Sequence, residues 1–184
     1  MKDLPPYKTT SSEVISDTKL FRLEVHQRTE DTTGRTGTFF VLDAPDWINV
    51  VAITTEGKFI LVEQFRHGTE RNEVEIVGGL VDRGEDPQEA ALRELREETG
   101  YVPSASSRIE LIGTVHPNPA FLTNTCYTYL VTDCIKEYDQ SLDEHERIHV
   151  SEVTEDEFAG MIKSGTIDHS LVLNAYLWYQ LSKQ

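Results

Sequence analysis

Apolar and polar positions alternate over much of residues 13–65, in β-branched and aromatic runs at Leu20 to Val25, Thr38 to Leu42, Trp47 to Thr54 and Phe59 to Phe65. A period of two predicts strands. Turn residues separate the runs: Thr32 to Gly37 predicts a hairpin loop, Ala44-Pro45-Asp46 a turn, and Thr55-Glu56-Gly57-Lys58 a tight hairpin connection. The expectation for this half is a meander of antiparallel strands. A short strand signal at Val74 to Val77 runs into Gly78-Gly79, and the period then lengthens to about 3.6 between Pro87 and Thr99, which predicts a helix. Strand signals return at Glu110 to Thr114, at Cys126 to Val131 and around Ile148 and Val150. Glu155 to Lys163, closed by Gly165, and Leu171 to Leu181 predict two amphipathic helices, the second with Leu171, Ala175, Trp178 and Leu181 on one stripe. No internal repeat or low-complexity tract is present. Strands with a few helices and no regular βαβ alternation predict an α+β fold, a mixed sheet with helices packed over it.

At 184 residues with 38% hydrophobic positions the chain can bury one good core and is too short for two full domains. Its 17 basic and 32 acidic residues give a net charge of −15, which repels phosphate backbones and anionic lipid headgroups, so neither nucleic acid nor a membrane is an expected partner. A phosphate-bearing ligand would need divalent cations held by some of those carboxylates. Met1-Lys2-Asp3-Leu4-Pro5-Pro6-Tyr7 contains no leader-like apolar stretch, and no run approaches the ~20 residues that span a bilayer. Cys126 and Cys134 are expected as reduced packing residues, and the protein as cytoplasmic.

The helix at Pro87 has strong local punctuation: Asp86 as cap, proline in the first turn, Glu89 three residues after the cap, and Gly100 as the stop. At about 100° per residue, with Glu94 at zero, Glu98 falls near 40° and Glu97 near −60°, beside an apolar face of Ala91, Leu92, Leu95 and Thr99. Taken alone, such a helix is most often a solvated face whose acids pair with Arg93 and Arg96. Here Gly78-Gly79 lies upstream as an expected bare loop whose carbonyls can join carboxylates around a hard cation such as Mg²⁺.

Residues 79–101 resemble the signature of the Nudix hydrolases, Gly-x5-Glu-x7-Arg-Glu-U-x-Glu-Glu-x-Gly-U with U a bulky aliphatic; every fixed position matches, and the departure is Tyr101 at the final aliphatic place. The resemblance implies a Nudix α/β/α sandwich with a mixed central sheet, spanning residues 46–184, behind an N-terminal antiparallel strand region at 1–45. It implies hydrolysis of a nucleoside diphosphate linked to another group, with Mg²⁺, or Mn²⁺ in its place, as cofactor. On this resemblance Glu94, Glu97, Glu98 and the Gly78 carbonyl are the metal ligands, with Glu97 and Glu98 also counted as catalytic, while Glu85 and Arg93 form the ion pair that orients the helix.

Weaker likeness over most of the chain points to the ADP-ribose pyrophosphatase and nucleoside diphosphate sugar hydrolase branch. Glu63-Gln64-Phe65-Arg66 resembles a segment whose arginine contacts substrate, and Glu75-Ile76-Val77-Gly78-Gly79 resembles Glu-Leu-Pro-Ala-Gly with Pro and Ala replaced. The substrate-facing set implied is Arg66, Glu75, Leu80 and Pro117. Leu142-Asp143-Glu144-His145-Glu146 resembles the acidic loop that supplies a general base, with Glu144 and Glu146 both candidates. The branch implies a homodimer to which the N-terminal strands contribute.

Two rival classes remain. His145-Glu146-Arg147-Ile148-His149 fits the zincin His-Glu-x-x-His pattern, which requires both histidines on one helical face, whereas Ile148 onward alternates as a strand. A nucleotide-sugar-binding regulatory Nudix module would keep the fold without catalysis; such modules typically lose acids of the signature, and none is missing here.

Overall fold

Neighbouring residues of the strand Trp47–Thr54 belong to different hydrophobic clusters, and that alternation organises the larger part of the chain. The computed structural model describes residues 4–183, so Met1 to Asp3, the first part of the segment read for a leader, lie outside the described residues. Within them the chain divides into two compact units, residues 4–45 with 116–125, and residues 46–115 with 126–183.

The first unit is a three-stranded antiparallel sheet of β1 (Tyr7–Asp17), β2 (Arg22–Glu30) and β3 (Thr36–Asp43), in that order. All of β1 is exposed; its run of Thr, Ser and Glu carries no clear alternation, so the sequence pattern did not single it out. Tyr7, Val14, Ile15 and Phe40 stand open to solvent. The 116–125 segment is bound to this sheet by the Leu42–Leu122 bridge and by the Leu42 N–H donating to the Phe121 carbonyl at 2.8 Å, and Asn124 Nδ2 donates to the carbonyl of Pro45, just past β3, at 3.0 Å.

The second unit contains β4 (Trp47–Thr54), β5 (Phe59–Arg66), β6 (Arg71–Glu75), β7 (Val77–Leu80), α1 (Pro87–Thr99), β8 (Tyr101–Pro103), β9 (Ile109–Val115), β10 (Cys126–Lys136), β11 (Ile148–Val153), α2 (Glu155–Ser164) and α3 (Ser170–Ser182). Its eight strands form one mixed sheet whose main path is β11-β5-β4-β10-β8. The expected meander ends at β3: β4 pairs in parallel with β10, from Trp47↔Cys126 to Ala52↔Val131 and again at Thr54↔Cys134, and pairs with β5 at Ile53↔Phe59. Ile48, Val50, Ala52, Ile60 and Val62 face Ala90, Ala91 and Leu95 of α1, while Val51, Phe59 and Leu61 face Phe158 of α2 and Val172, Ala175 and Tyr179 of α3. A strand buried on both faces reads as a near-continuous apolar run, as β4 and β5 do, and the result is the α/β/α sandwich.

Three expectations change in detail. Gly78-Gly79 is a strand rather than a loop: β7 pairs with β4 as Gly78↔Asn49 and Gly79↔Ile48, and Ile76 separates it from β6, which pairs with β5. The buried stripe of α3 is Leu171, Val172, Ala175 and Tyr179, with Leu181 exposed and Trp178 lying against Gly113 of β9. His149 lies in β11, paired with Glu63, so His145 and His149 do not share a helical face and the zincin reading falls. Among the described residues no helix is long and apolar enough to cross a membrane.

Candidate active site

α1 begins where the sequence says it should. The Asp86 side chain accepts from the Gln88 N–H at 2.8 Å, Pro87 needs no donor in the first turn, and Gly100 closes the helix at φ 75°. Ala90, Ala91 and Leu95 are fully buried against the sheet, so the neighbouring stripe of Glu94 and Glu98 is drawn into the space beside β7. There Gly79 does steric work: a Cβ at that position would overlap the Glu94 carboxyl.

Arg93 is the hub of the ion pairs. Its Nε and Nη2 meet the two Glu85 oxygens at 2.9 and 3.0 Å, Nη2 also donates to the Leu80 carbonyl at 3.1 Å, and Nη1 reaches Glu94 at 2.8 Å and Glu97 at 3.3 Å. A planar guanidinium thus ties the 80–85 connection to the helix, as a point charge on a lysine would not. The Leu80 side chain is partly exposed beside it.

Glu98 is the most unusual group. It is 5% exposed, the Gly78 backbone N–H supports its carboxylate, and its Oε2 is buried without a hydrogen-bond partner. Burial, then the charges of Glu94 and Glu146, push its pKa up to about 8. Burial likewise raises Glu94, against the pull of Arg93. An orphaned, negatively polarised oxygen next to a second acid and a glycine edge has the donor chemistry that a hard divalent cation takes. The acids are not yet gathered around a common point: among the described residues no three His, Cys, Asp or Glu side chains form a ready cluster, because Glu94 and Glu97 both turn to Arg93.

Arg66 and Glu75 come together, though not as two free substrate contacts. Arg66 Nε and Nη2 donate to the Glu75 oxygens at 2.6 and 2.8 Å, and His169 Nδ1 lies 3.4 Å from the same carboxylate. Burial alone would raise Glu75; the Arg66 hydrogen bonds, then His169, outweigh it and hold the pKa near 2. Arg66 is also close enough to Glu98 to counter its shift.

The acidic loop between β10 and β11 divides its two candidates. Glu146 braces the turn, its Oε2 accepting from the Asp143 N–H at 3.1 Å, and its charge is felt by both Glu94 and Glu98. Glu144 is exposed, and its backbone carbonyl accepts from Arg147 Nη1 at 3.2 Å. Pro117 belongs to the 116–125 segment of the other unit. Two residues of the site carry no sequence signal: Gln140, whose amide donates to the Glu98 carbonyl at 2.6 Å and to the Ile148 carbonyl at 3.2 Å, and His169, which precedes the first turn of α3. Neither sits in a periodic pattern, and Glu98 and Glu75, the partners that tie them to the site, are remote from them in sequence.

The model of the NUDIX domain matches residues 45–174, from the start of β4 into α3. The chain belongs to the Nudix family. Over 177 residues this Nudix protein is 32% identical to an ADP-ribose pyrophosphatase of Bacillus subtilis (strain 168), across 96% of this chain and 94% of that one. Over the same length it is 33% identical to a methanol dehydrogenase activator of Bacillus methanolicus, with the same coverage. The crystal structure of an ADP compounds hydrolase superposes with a TM-score of 0.84 at 20% identity, over 98% of this chain and 95% of that one, which is a likeness of fold.

Proposed function

We propose that this Nudix enzyme hydrolyses the diphosphate bond of ADP-ribose or a related nucleoside diphosphate sugar, releasing a nucleoside monophosphate and a sugar phosphate. The observation that carries the reading is Glu98, a buried signature carboxylate with an unpartnered oxygen, flanked by Glu94 and backed by Gly78. The near full-length likeness to an ADP-ribose pyrophosphatase supports the substrate class.

Glu94, Glu97, Glu98 and the Gly78 carbonyl would hold a divalent cation, Mg²⁺ with Mn²⁺ as a substitute. In an antiparallel ladder a residue's N–H and C=O leave one edge of the strand, so Gly78, whose N–H turns to Glu98, presents its carbonyl there too. When bound, the cation screens the diphosphate, lowers the pKa of a water and stabilises charge on the transferring phosphoryl group. Arg93 and Glu85 orient the helix that carries these acids, and Arg66, positioned by Glu75, supplies a cation for the substrate's phosphate oxygens through the Nη1 left outside that pair. Leu80 completes the substrate-facing set within this unit. Glu146, rather than Glu144, takes the proton of the attacking water, a role suited to an exposed carboxylate at the edge of the acid cluster.

We place the enzyme in the cytoplasm, where buried free thiols such as Cys126 and Cys134 persist. We also assign it as a homodimer, with the open faces of β1 to β3, rich in Tyr7, Val14, Ile15 and Phe40, as the contact. Sedimentation of the purified chain tests that assignment.

The function is tested by incubating the protein and Mg²⁺ with ADP-ribose, GDP-mannose and other nucleotide sugars and identifying the products. Release of AMP from ADP-ribose, abolished in Glu98→Gln and strongly reduced in Glu146→Gln but not in Glu144→Gln, is the expected result. Binding without cleavage across the panel would replace it with the regulatory module.

A further inference from the structure

The acidic loop is held at both of its ends by one side chain. Gln140 Nε2 donates to the carbonyl of Glu98, in the last turn of α1, at 2.6 Å, and to the carbonyl of Ile148, the first residue of β11, at 3.2 Å. Between those anchors Ser141 N–H donates to the Glu97 carbonyl at 2.9 Å, and Leu142 packs against the core cluster that includes Leu95. The last carbonyls of a helix have no partner within it, and capping them accounts for one of the amide's hydrogen bonds. The second, to Ile148, is not needed by the helix. It fixes the distance between the acid helix and the far end of the loop with a single planar group that has two donors.

That distance matters because it sets where Glu146 stands relative to the acids of α1. The Glu146 charge is felt at both Glu94 and Glu98, so the loop carries it beside that acid pair. The turn itself is stiff: Glu146 N–H donates to the Asp143 carbonyl at 3.0 Å while the Glu146 carboxylate accepts from the Asp143 N–H at 3.1 Å, so the carboxylate goes where the loop goes.

We propose that Gln140 is a positioning residue for hydrolysis, holding the Glu146 carboxylate over the acids of α1 by strapping both ends of the 141–147 loop to the end of that helix. The inference rests on the base role given to Glu146 above.

The test is a double-mutant cycle of Gln140→Met, which keeps the shape and removes the donors, with Glu146→Gln, read as kcat and KM at saturating Mg²⁺ and as hydrogen exchange without metal. Gln140 is exposed, so the core survives its change, and Gln140→Glu, which also lacks donors, repeats the test. The expected result is a loss of about tenfold or more in kcat with KM little changed, since a small misplacement of a reacting group is costly. In the Glu146→Gln background the second change should cost nothing further, because both act through one carboxylate. Amides 141–147 should exchange faster while those of α1 keep their protection. Unchanged kcat in both Gln140 variants, losses that multiply in the double variant, or exchange that accelerates along α1 would overturn the proposal and leave Gln140 a helix cap. Full activity in Glu146→Gln alone would instead remove the base reading, and the proposal with it.

Discussion

The Glu94 carboxyl occupies the space that a side chain on Gly79 would fill. Gly79 sits in β7 without a left-handed backbone angle, so the requirement for glycine is one of close approach rather than of chain conformation. Glu94 is flexible at its far end and can give way.

Gly79→Ala should therefore leave stability within about 1 kcal/mol of wild type while moving a metal-ligand candidate. Turnover should fall by about tenfold or more. Thermal unfolding and steady-state kinetics, run side by side, check the separation; a variant that loses stability and activity together would show that the glycine serves the strand instead.

Glu98 should be the costliest acid to replace. Glu98→Gln keeps the shape and removes the carboxylate that a cation would take, so turnover should drop by orders of magnitude; it also removes an acid that burial raises from its unfolded value to about 8, so the metal-free protein should unfold at an equal or higher temperature. Glu97→Gln, on a more exposed side chain paired with Arg93, should also cut turnover with the fold intact. Near-wild-type rates in both variants at saturating Mg²⁺ would refute the assignment of the acid face.

The parts of the site that sequence exposed are those whose logic is local. Asp86, Pro87, the acid spacing and Gly100 lie within one helix, and the Glu85–Arg93 pair spans eight residues. The sheet was legible as strands but not as pairings: the parallel match of β4 with β10 joins residues nearly eighty apart, and no turn signal announces it. Gly78-Gly79 misled because the pair that suggests a loop is also what lets a strand lie close under Glu94. Gln140 and His169 were invisible for the same reason as the sheet order, since each acts on groups brought together only by the fold.

Acid should loosen the link between β5 and β6. The Glu75 pKa is lowered to about 2 in the folded protein, below its unfolded value, because burial, which raises it, is outweighed by the Arg66 hydrogen bonds together with His169 and the Arg66 charge. A depressed carboxylate contributes stability that is complete above its unfolded pKa, about 4.5, and is lost as pH falls toward 2. Glu75→Gln should flatten the dependence of melting temperature on pH between about 4.5 and 2 relative to wild type and, by freeing Arg66, raise KM at neutral pH. An unchanged acid limb would mean that other carboxylates dominate it.

Metal should govern affinity as well as rate. The chain carries a net charge of −15, and Glu94, Glu97, Glu98 and Glu146 lie in or beside the site. Of the nearby arginines, Arg93 is committed to Glu85, Glu94 and Glu97, and Arg66, paired with Glu75 through Nε and Nη2, offers a single Nη1. A diphosphate entering such a field is repelled unless divalent cations come before it or with it, and at contact distance each unit-charge pair is worth about 1–4 kcal/mol between water-like and surface-like screening. ADP-ribose titrated calorimetrically into chelator-treated protein should bind at least tenfold more weakly than in the presence of Ca²⁺, used as a poorly reactive stand-in. Because the effect is electrostatic at a partly buried site, added monovalent salt should narrow the gap only in part. Equal affinities with and without Ca²⁺ would mean that the diphosphate is held by groups outside the acid face, and would separate substrate binding from the carboxylates of α1.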